Sequence, residues 1–352
     1  MTIKIGHREI GSGCPVYLVA EMSANHHHSL DGALRTIEAA AQAGADAIKV
    51  QTYTPDTLTI DCDEPWFQVG QGTIWAGRTL YDLYREAYMP WEWQPALQEK
   101  ALSLGLDWFS TPFDETAVEY LAALNVPAFK IASFEINDHG LLRAVAMHRK
   151  PVILSTGMAN EREIEEALEV LQANGNPAVV LLKCTSAYPS PPGEMNLRAI
   201  PYLADRFGVP AGLSDHTLGT TVAIAATALG ACVIEKHFTL SRAIPGPDSA
   251  FSLEPQEFHQ LVESVRTVEE ALGSVSLGVG ATETGSTVFR RSLFVVDRVK
   301  KGEPFTAKNV RSIRPGYGLA PKHIASVLGK MAASDIDRGT PLDWDLVTSH
   351  GA

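Results

Sequence analysis

Cysteine is scarce in this sequence, with four in 352 residues, at positions 14, 62, 184 and 232, and no CxxC pair among them. That spacing signals neither a disulfide framework nor a thiolate zinc cage, so all four read as reduced thiols, Cys184 and Cys232 within apolar runs. Long apolar runs are missing too. No stretch approaches the roughly 18 residues that a membrane span needs, and Met1 to Pro15 carries charges and glycines where a signal peptide would need an apolar segment. The expectation is a cytoplasmic protein with no membrane partner. Basic residues are the minority, 29 Lys and Arg against 41 Asp and Glu, and the net charge of −12 argues against a nucleic-acid partner. Phosphate-loop motifs are lacking as well: Gly11-Ser-Gly-Cys and Gly278-Val-Gly-Ala read as a turn and a linker.

What is present, 45% apolar and 20% charged residues, suits a folded small-molecule enzyme. The length allows two domains, or one α/β barrel of about 250 residues with an appendage. Eight short apolar runs, beginning at Val16, Ala47, Leu106, Ala128, Pro151, Val179, Val209 and Cys232, alternate with amphipathic helical segments such as Leu30–Ala40 and Glu161–Gln172. Strands alternating with helices imply parallel pairing through right-handed crossovers, and eight such units predict a (β/α)8 TIM barrel over residues 1–272. One βα connection is too long: between Thr52 and Pro90, Trp66, Phe67, Trp75, Tyr81, Tyr84 and Tyr88 crowd together as either a side cluster or a substrate-shaping lid. Residues 273–287 read as a Gly- and Ser-rich linker, and residues 288–352 as a small β-rich module. That module holds eleven Lys and Arg against six Asp and Glu, a net +5, which leaves −17 for residues 1–287.

In such barrels the chemistry sits at the C-terminal strand ends. The residues collected there are Glu21; Lys49 and Gln51; Ser110 and Thr111; Lys130, Ser133 and Glu135; Ser155 and Thr156; Lys183, Thr185 and Ser186; Ser214, Asp215 and His216; Glu235, Lys236 and His237. Alternate strand residues face one side, so Lys49 with Gln51, Ser214 with His216, and Glu235 with His237 can each share the lumen. A single lysine or serine at a strand end merely solvates the rim. Their coincidence on several strands points to a small anion, with ammonium groups supplying charge and hydroxyls supplying hydrogen bonds. His216 and His237 close neighbouring strands and can direct two imidazoles at one divalent cation. The His26-His27-His28 run reads instead as a polar loop, since three consecutive residues cannot all aim at one site. Pro189, Pro191 and Pro192 stiffen the loop that holds Tyr188 at the mouth.

Several blocks at these positions resemble the sialic acid synthase family of phosphoenolpyruvate-condensing barrels. They are Ala20-Glu21, Ala45-Asp-Ala-Ile-Lys-Val-Gln-Thr-Tyr, Phe109-Ser-Thr-Pro-Phe-Asp, Phe129-Lys-Ile-Ala-Ser-Phe-Glu, Leu213-Ser-Asp-His-Thr and Glu235-Lys-His-Phe-Thr-Leu. Arg290-Arg-Ser-Leu and Ile313-Arg-Pro-Gly-Tyr-Gly are similar to its antifreeze-like (SAF) domain, and the resemblance runs along nearly the whole chain. Leu80-Tyr-Asp-Leu-Tyr-Arg-Glu-Ala-Tyr and Asp248-Ser-Ala-Phe-Ser-Leu-Glu-Pro resemble the branch that makes pseudaminic acid, while N-acetylneuraminate or legionaminate formation is the alternative within the family.

The resemblance implies condensation of phosphoenolpyruvate with an amino-sugar aldehyde, under a divalent metal, Mn²⁺ before Mg²⁺ or Co²⁺. It implies His216 and His237 as metal ligands, Glu21, Lys49 and Lys130 as catalytic groups, and Thr111, Ser133, Ser155, Ser186 and Ser214 around phosphoenolpyruvate. Gln51, Glu135, Tyr188 and Asp248 would line the sugar pocket. A domain-swapped homodimer would bring Arg314 to the sugar from the other copy. A reading from another class, a non-catalytic sugar-binding scaffold, would need neither the histidine pair nor all the lysines.

Overall fold

In the computed structural model, which describes residues 1–70 and 72–348, eight parallel strands close on one another in chain order. A hairpin of β1 (Thr2–Ile5) and β2 (Arg8–Gly11) precedes them. The barrel strands are β3 (Tyr17–Glu21), β4 (Ala47–Thr52), β5 (Asp107–Pro112), β6 (Phe129–Ile131), β7 (Val152–Ser155), β8 (Val179–Cys184), β9 (Ala211–Asp215) and β10 (Val233–His237). Closure is made by β10 beside β3, paired in register from Val233 with Tyr17 to His237 with Glu21. These are the eight runs the sequence marks, and nearly every residue in them is buried, as strands covered on both faces require.

The helices between them are α1 (Leu30–Gln42), α2 (Pro55–Leu58), α3 (Leu80–Ala87), α4 (Gln94–Ser103), α5 (Glu115–Ala123), α6 (His139–Met147), α7 (Glu161–Ala173), α8 (Ala199–Phe207), α9 (Thr221–Ala228) and α10 (Pro255–Leu272). Their starts are chemically specified. Ser29, Thr79, Asp114, Asp138 and Asn160 each accept a hydrogen bond from a first-turn amide of the helix that follows. Each cap follows its strand-end loop, so the helix start also fixes where that loop ends.

The hairpin was not marked by the sequence reading. Ile5 and Ile10 bury completely, and Arg8 donates to Asp107 at the start of β5, which places the hairpin at the end of the barrel away from the strand termini that carry polar residues. Gly6, with φ of +57°, passes so close to Asp107 that a Cβ there would lie 2.3 Å from its Oδ1.

The second compact unit is Ser274–Ala352. It pairs β11 (Ser292–Val295) antiparallel with β12 (Val310–Ile313), adds a one-turn α11 (Ile324–Val327), and builds its own core from residues such as Leu293, Val295, Phe305, Val310 and Leu342. Residues read as a linker contain most of a 3-10 helix, Ala281–Phe289.

Parity sorts the charged strand ends. Asp215 and Lys236 alternate with the lumen residues and face outward, where Lys236 Nζ donates to Asp215 Oδ2 at 2.7 Å and to the Thr217 carbonyl at 2.6 Å, both side chains fully buried. These two therefore support the mouth rather than line it. Asp215→Ala strands a buried ammonium and is expected to cost about 3–5 kcal/mol in urea unfolding, whereas Asp215→Leu with Lys236→Met should recover most of that loss. An unshifted midpoint in the single variant would refute this pairing as a structural element.

Candidate active site

At the C-terminal end of the barrel two ammonium groups are buried in the lumen, Lys49 at 4% and Lys130 at 2% exposure. Burial of two charges demands counter-charge. Lys49 Nζ lies 2.7 Å from Glu21 Oε2 and 3.6 Å from Glu235 Oε1, and it donates to Thr111 Oγ1 at 3.3 Å. Lys130 Nζ donates to Ser155 Oγ at 2.7 Å and lies 3.9 Å from the same Glu235 oxygen, which also accepts from Ser214 Oγ at 3.2 Å. Glu235 is thus the anion shared by both lysines. It was collected as a strand-end residue without a role, because nothing in sequence spacing reveals which carboxylate sits between two cations.

The two carboxylates differ. Burial works against Glu235, yet Lys130 and Lys49 overcome it and hold Glu235 below the ordinary carboxylate range. Glu21 is dominated by burial, with Lys49 opposing and Glu235 reinforcing, and is pushed up to about 7. Although burial pulls the other way, Glu21 and Glu235 hold the Lys49 ammonium above its usual value, while burial lowers that of Lys130. Lys49 at 2.7 Å is the one charged partner of Glu21, whose other oxygen, Oε1, is buried without a hydrogen-bond partner.

Beside the lysines lies a cradle at Gly157, just past β7. Its amide donates to Ser133 Oγ at 3.0 Å, and a Cβ there would come within 2.4 Å of Ser186 Oγ and 2.7 Å of Ser133 Oγ. Glycine is needed for that close approach. One backbone N–H and the hydroxyls of Ser133 and Ser186 therefore meet at a single point. The residue that brings them together, Gly157, has no side chain by which sequence reading would single it out.

Across the mouth, the imidazoles of His216 and His237 stand edge to face with centroids 5.3 Å apart. His216 Nδ1 lies 3.1 Å from the Thr185 carbonyl, to which it donates, so that Nε2 is the nitrogen left for a ligand; burial opposes charge on this ring, but Cys184 and the carbonyl hold it above its ordinary value. His237 Nδ1 is buried without a hydrogen-bond partner, 3.8 Å from Asp248 Oδ2. Burial first, then His216 and the lysines, hold His237 well below its ordinary value. Tyr188 packs on His216 at 4.4 Å and Phe251 on His237 at 4.8 Å. Among the described residues no three His, Cys, Asp or Glu side chains form a metal cage; the pair offers two nitrogen ligands and leaves other positions to oxygen.

Of the remaining predicted residues, all but Arg314 belong to the barrel unit. Gln51 is half-buried two residues beyond Lys49 and pairs with Thr111 in the β4–β5 register. Glu135 follows β6 with Oε2 buried and unpartnered, and burial pushes it up to about 7. Asp248 Oδ2 accepts from the Ala24 amide at 3.3 Å. Arg314 belongs to the C-terminal unit, exposed directly after β12. The His26 run departs from its reading as a polar loop: His26 is fully buried, edge-on to Trp93, with Nε2 3.3 Å from the Ala87 carbonyl. The long insertion supplies Ala87, and the turn just after it, Trp91–Trp93, supplies Trp93, so both partners lie more than sixty residues away in sequence.

Comparisons with known sequences and structures show the family. The NeuB family matches residues 36–276 and the SAF domain matches residues 290–348. Pseudaminic acid synthase of Campylobacter jejuni is 46% identical over 93% of this chain and 95% of that protein. Pseudaminic acid synthase of Helicobacter pylori is 42% identical over 94% of this chain and 97% of that protein. A crystal structure of N-acetylneuraminic acid (sialic acid) synthetase from Leptospira borgpetersenii, in complex with citrate, is 34% identical with a TM-score of 0.72, covering 81% of this chain and 95% of that one. With two fitting domains in order and relatives above 40% identity along almost its whole length, this chain belongs to the NeuB family of sialic acid synthases and carries a C-terminal SAF domain.

Proposed function

We propose that the chain is a pseudaminic acid synthase, condensing phosphoenolpyruvate with 2,4-diacetamido-2,4,6-trideoxy-L-altrose and water to give pseudaminic acid and phosphate. The observation that carries it is the lumen itself: two buried ammonium groups sharing Glu235, next to the Gly157 cradle and opposite a pair of imidazoles. The relatives bearing that name support the choice of sugar. Phosphoenolpyruvate carries a carboxylate and a phosphate on one three-carbon frame, which suits lysines and hydroxyls converging from several strands.

In this reading Lys49, Lys130, Thr111, Ser133, Ser155, Ser186 and Ser214 bind phosphoenolpyruvate and orient its C3 toward the sugar aldehyde. Gln51, Glu135, Tyr188 and Asp248 hold the sugar. The new bond forms between C3 and the aldehyde carbon, leaving C2 electron-poor. Water adds to C2, and the tetrahedral carbon then expels phosphate by C–O cleavage. Glu21, pushed up to about 7 by burial and with Oε1 unpartnered, is placed to take the proton that the adding water gives up. Confinement in the lumen keeps other water from the reacting atoms.

His216 and His237 would hold a divalent metal, Mn²⁺ before Mg²⁺ or Co²⁺. Their chemistry fits, with one buried nitrogen lacking a partner and one imidazole oriented by a backbone carbonyl, as second-shell contacts orient metal-bound histidines. When bound, the metal supplies Lewis-acid polarisation of the aldehyde oxygen.

We read the assembly as a homodimer in which Arg314 of the partner subunit reaches the sugar. Exposed apolar side chains on the loops after the strands, Phe134 at 57%, Met158 at 66% and Leu218 at 64%, support a covered mouth. The free cysteines suit a cytoplasmic enzyme.

Phosphate release in the presence of Mn²⁺, phosphoenolpyruvate and either the trideoxy-altrose or N-acetylmannosamine tests the function. Release is expected with the first; release only with N-acetylmannosamine would overturn the choice of sugar, and release with neither would overturn the reaction. His216→Ala and His237→Ala are each expected to lose bound Mn²⁺ in equilibrium dialysis along with activity, and undiminished metal content would remove them as ligands. Gly157→Ala should raise the phosphoenolpyruvate KM at least about tenfold while sparing the sugar KM, since it pushes the cradle hydroxyls aside. Equal effects on both constants would argue against an anion at that point.

A further inference from the structure

The insertion between β4 and α3 does more than pack on the barrel flank. Trp75, between Gly72 at φ +93° and Gly77 at φ +87°, reaches across to the loop after β10 and donates its indole N–H to the Pro247 carbonyl at 2.8 Å. Its ring lies 5.5 Å from that of Tyr188, which in turn packs on His216 and lies 5.4 Å from Phe251. Pro247 immediately precedes Asp248, one of the groups assigned to the sugar. The same loop is held from below, where Gly246 lies so near the His27 ring that a Cβ would meet it at 2.9 Å. Trp75 is therefore the fastening between the insertion and the sugar side of the mouth.

Its chemistry carries a consequence for selectivity. Indole has one donor and no acceptor, and that donor is already committed to Pro247. The wall it presents has no hydrogen bond left to offer a hydroxyl. Adjoining it is an open cavity of about 380 Å³ with a mixed lining, in which Ile74, Pro245, Pro247 and Ala250 stand beside the ion pair of Arg78 and Glu86. A methyl group gains by packing on the Trp75 ring face, whereas a hydroxyl set against that face finds no partner on the indole.

We propose that Trp75 is a specificity-determining residue for the sugar: it fastens the Pro247–Asp248 loop and presents an aromatic wall that favours a terminal methyl over a terminal hydroxymethyl. This rests on the function proposed above. The test compares wild type, Trp75→Phe and Trp75→Ala with 2,4-diacetamido-2,4,6-trideoxy-L-altrose and with its 6-hydroxy counterpart, measuring kcat and both KM values.

Trp75→Ala is expected to raise the sugar KM about tenfold or more, leave the phosphoenolpyruvate KM within about twofold, and reduce the methyl-over-hydroxymethyl ratio of kcat/KM about tenfold, within what an apolar pocket can enforce. Trp75→Phe keeps a ring but not the donor, so it should retain most of the ratio with a sugar KM raised a few-fold. A sugar KM and ratio within twofold of wild type in Trp75→Ala would overturn the proposal. Amide exchange across residues 244–250, measured without substrate, should quicken in both variants, and unchanged exchange would overturn the fastening. A wild type that turns over neither sugar would instead overturn the proposed function, and the exchange measurement would still decide the fastening.

Discussion

Glu235 is the residue on which the mouth of this barrel depends. Two ammonium groups cannot stand together in a dry lumen without an anion between them, and one Glu235 oxygen lies within 4 Å of both while also accepting from Ser214. That single carboxylate sets the spacing of Lys49 and Lys130. Once they are fixed, Glu21 lies next to Lys49 and is so deeply buried, with Glu235 nearby, that its carboxyl is displaced to about 7. Two acidic residues on neighbouring strands thus acquire different characters from their surroundings alone.

The barrel supplies the precision this arrangement needs. Strand closure puts His237 in register with Glu21, so the ends of β3 and β10 cannot drift apart without breaking the ring. Outside the ring, the Asp215–Lys236 pair ties β9 to β10 immediately beneath the two histidines. The lysines, Glu21, Glu235 and His237 thus stand on strand termini, whereas Tyr188, Asp248 and the insertion bearing Trp75 lie on loops.

Charge at the level of the chain misleads about charge at the site. Residues 1–287 total −17, yet the proposed ligand is an anion. Lys49 and Lys130 act at contact distance in a medium of low polarity, whereas the acidic surplus lies largely on solvated helix faces such as that of α7. The same contrast explains why composition argues against a nucleic-acid partner while saying nothing of the lumen.

The sequence by itself determined the eight strands, the order of their polar ends and the faces shared by Ser214 with His216 and Glu235 with His237. Those follow from local periodicity, which a chain cannot disguise. It also carried the family resemblance, because that resides in short contiguous blocks. Only the tertiary structure decided that Glu235 joins two lysines, that Gly157 lets two serine hydroxyls meet, that His26 is a core residue, and that Trp75 touches a carbonyl 172 residues away. Each of those depends on which strand or loop becomes a neighbour through space, and on the burial that follows. No pattern within a strand or helix contains that information.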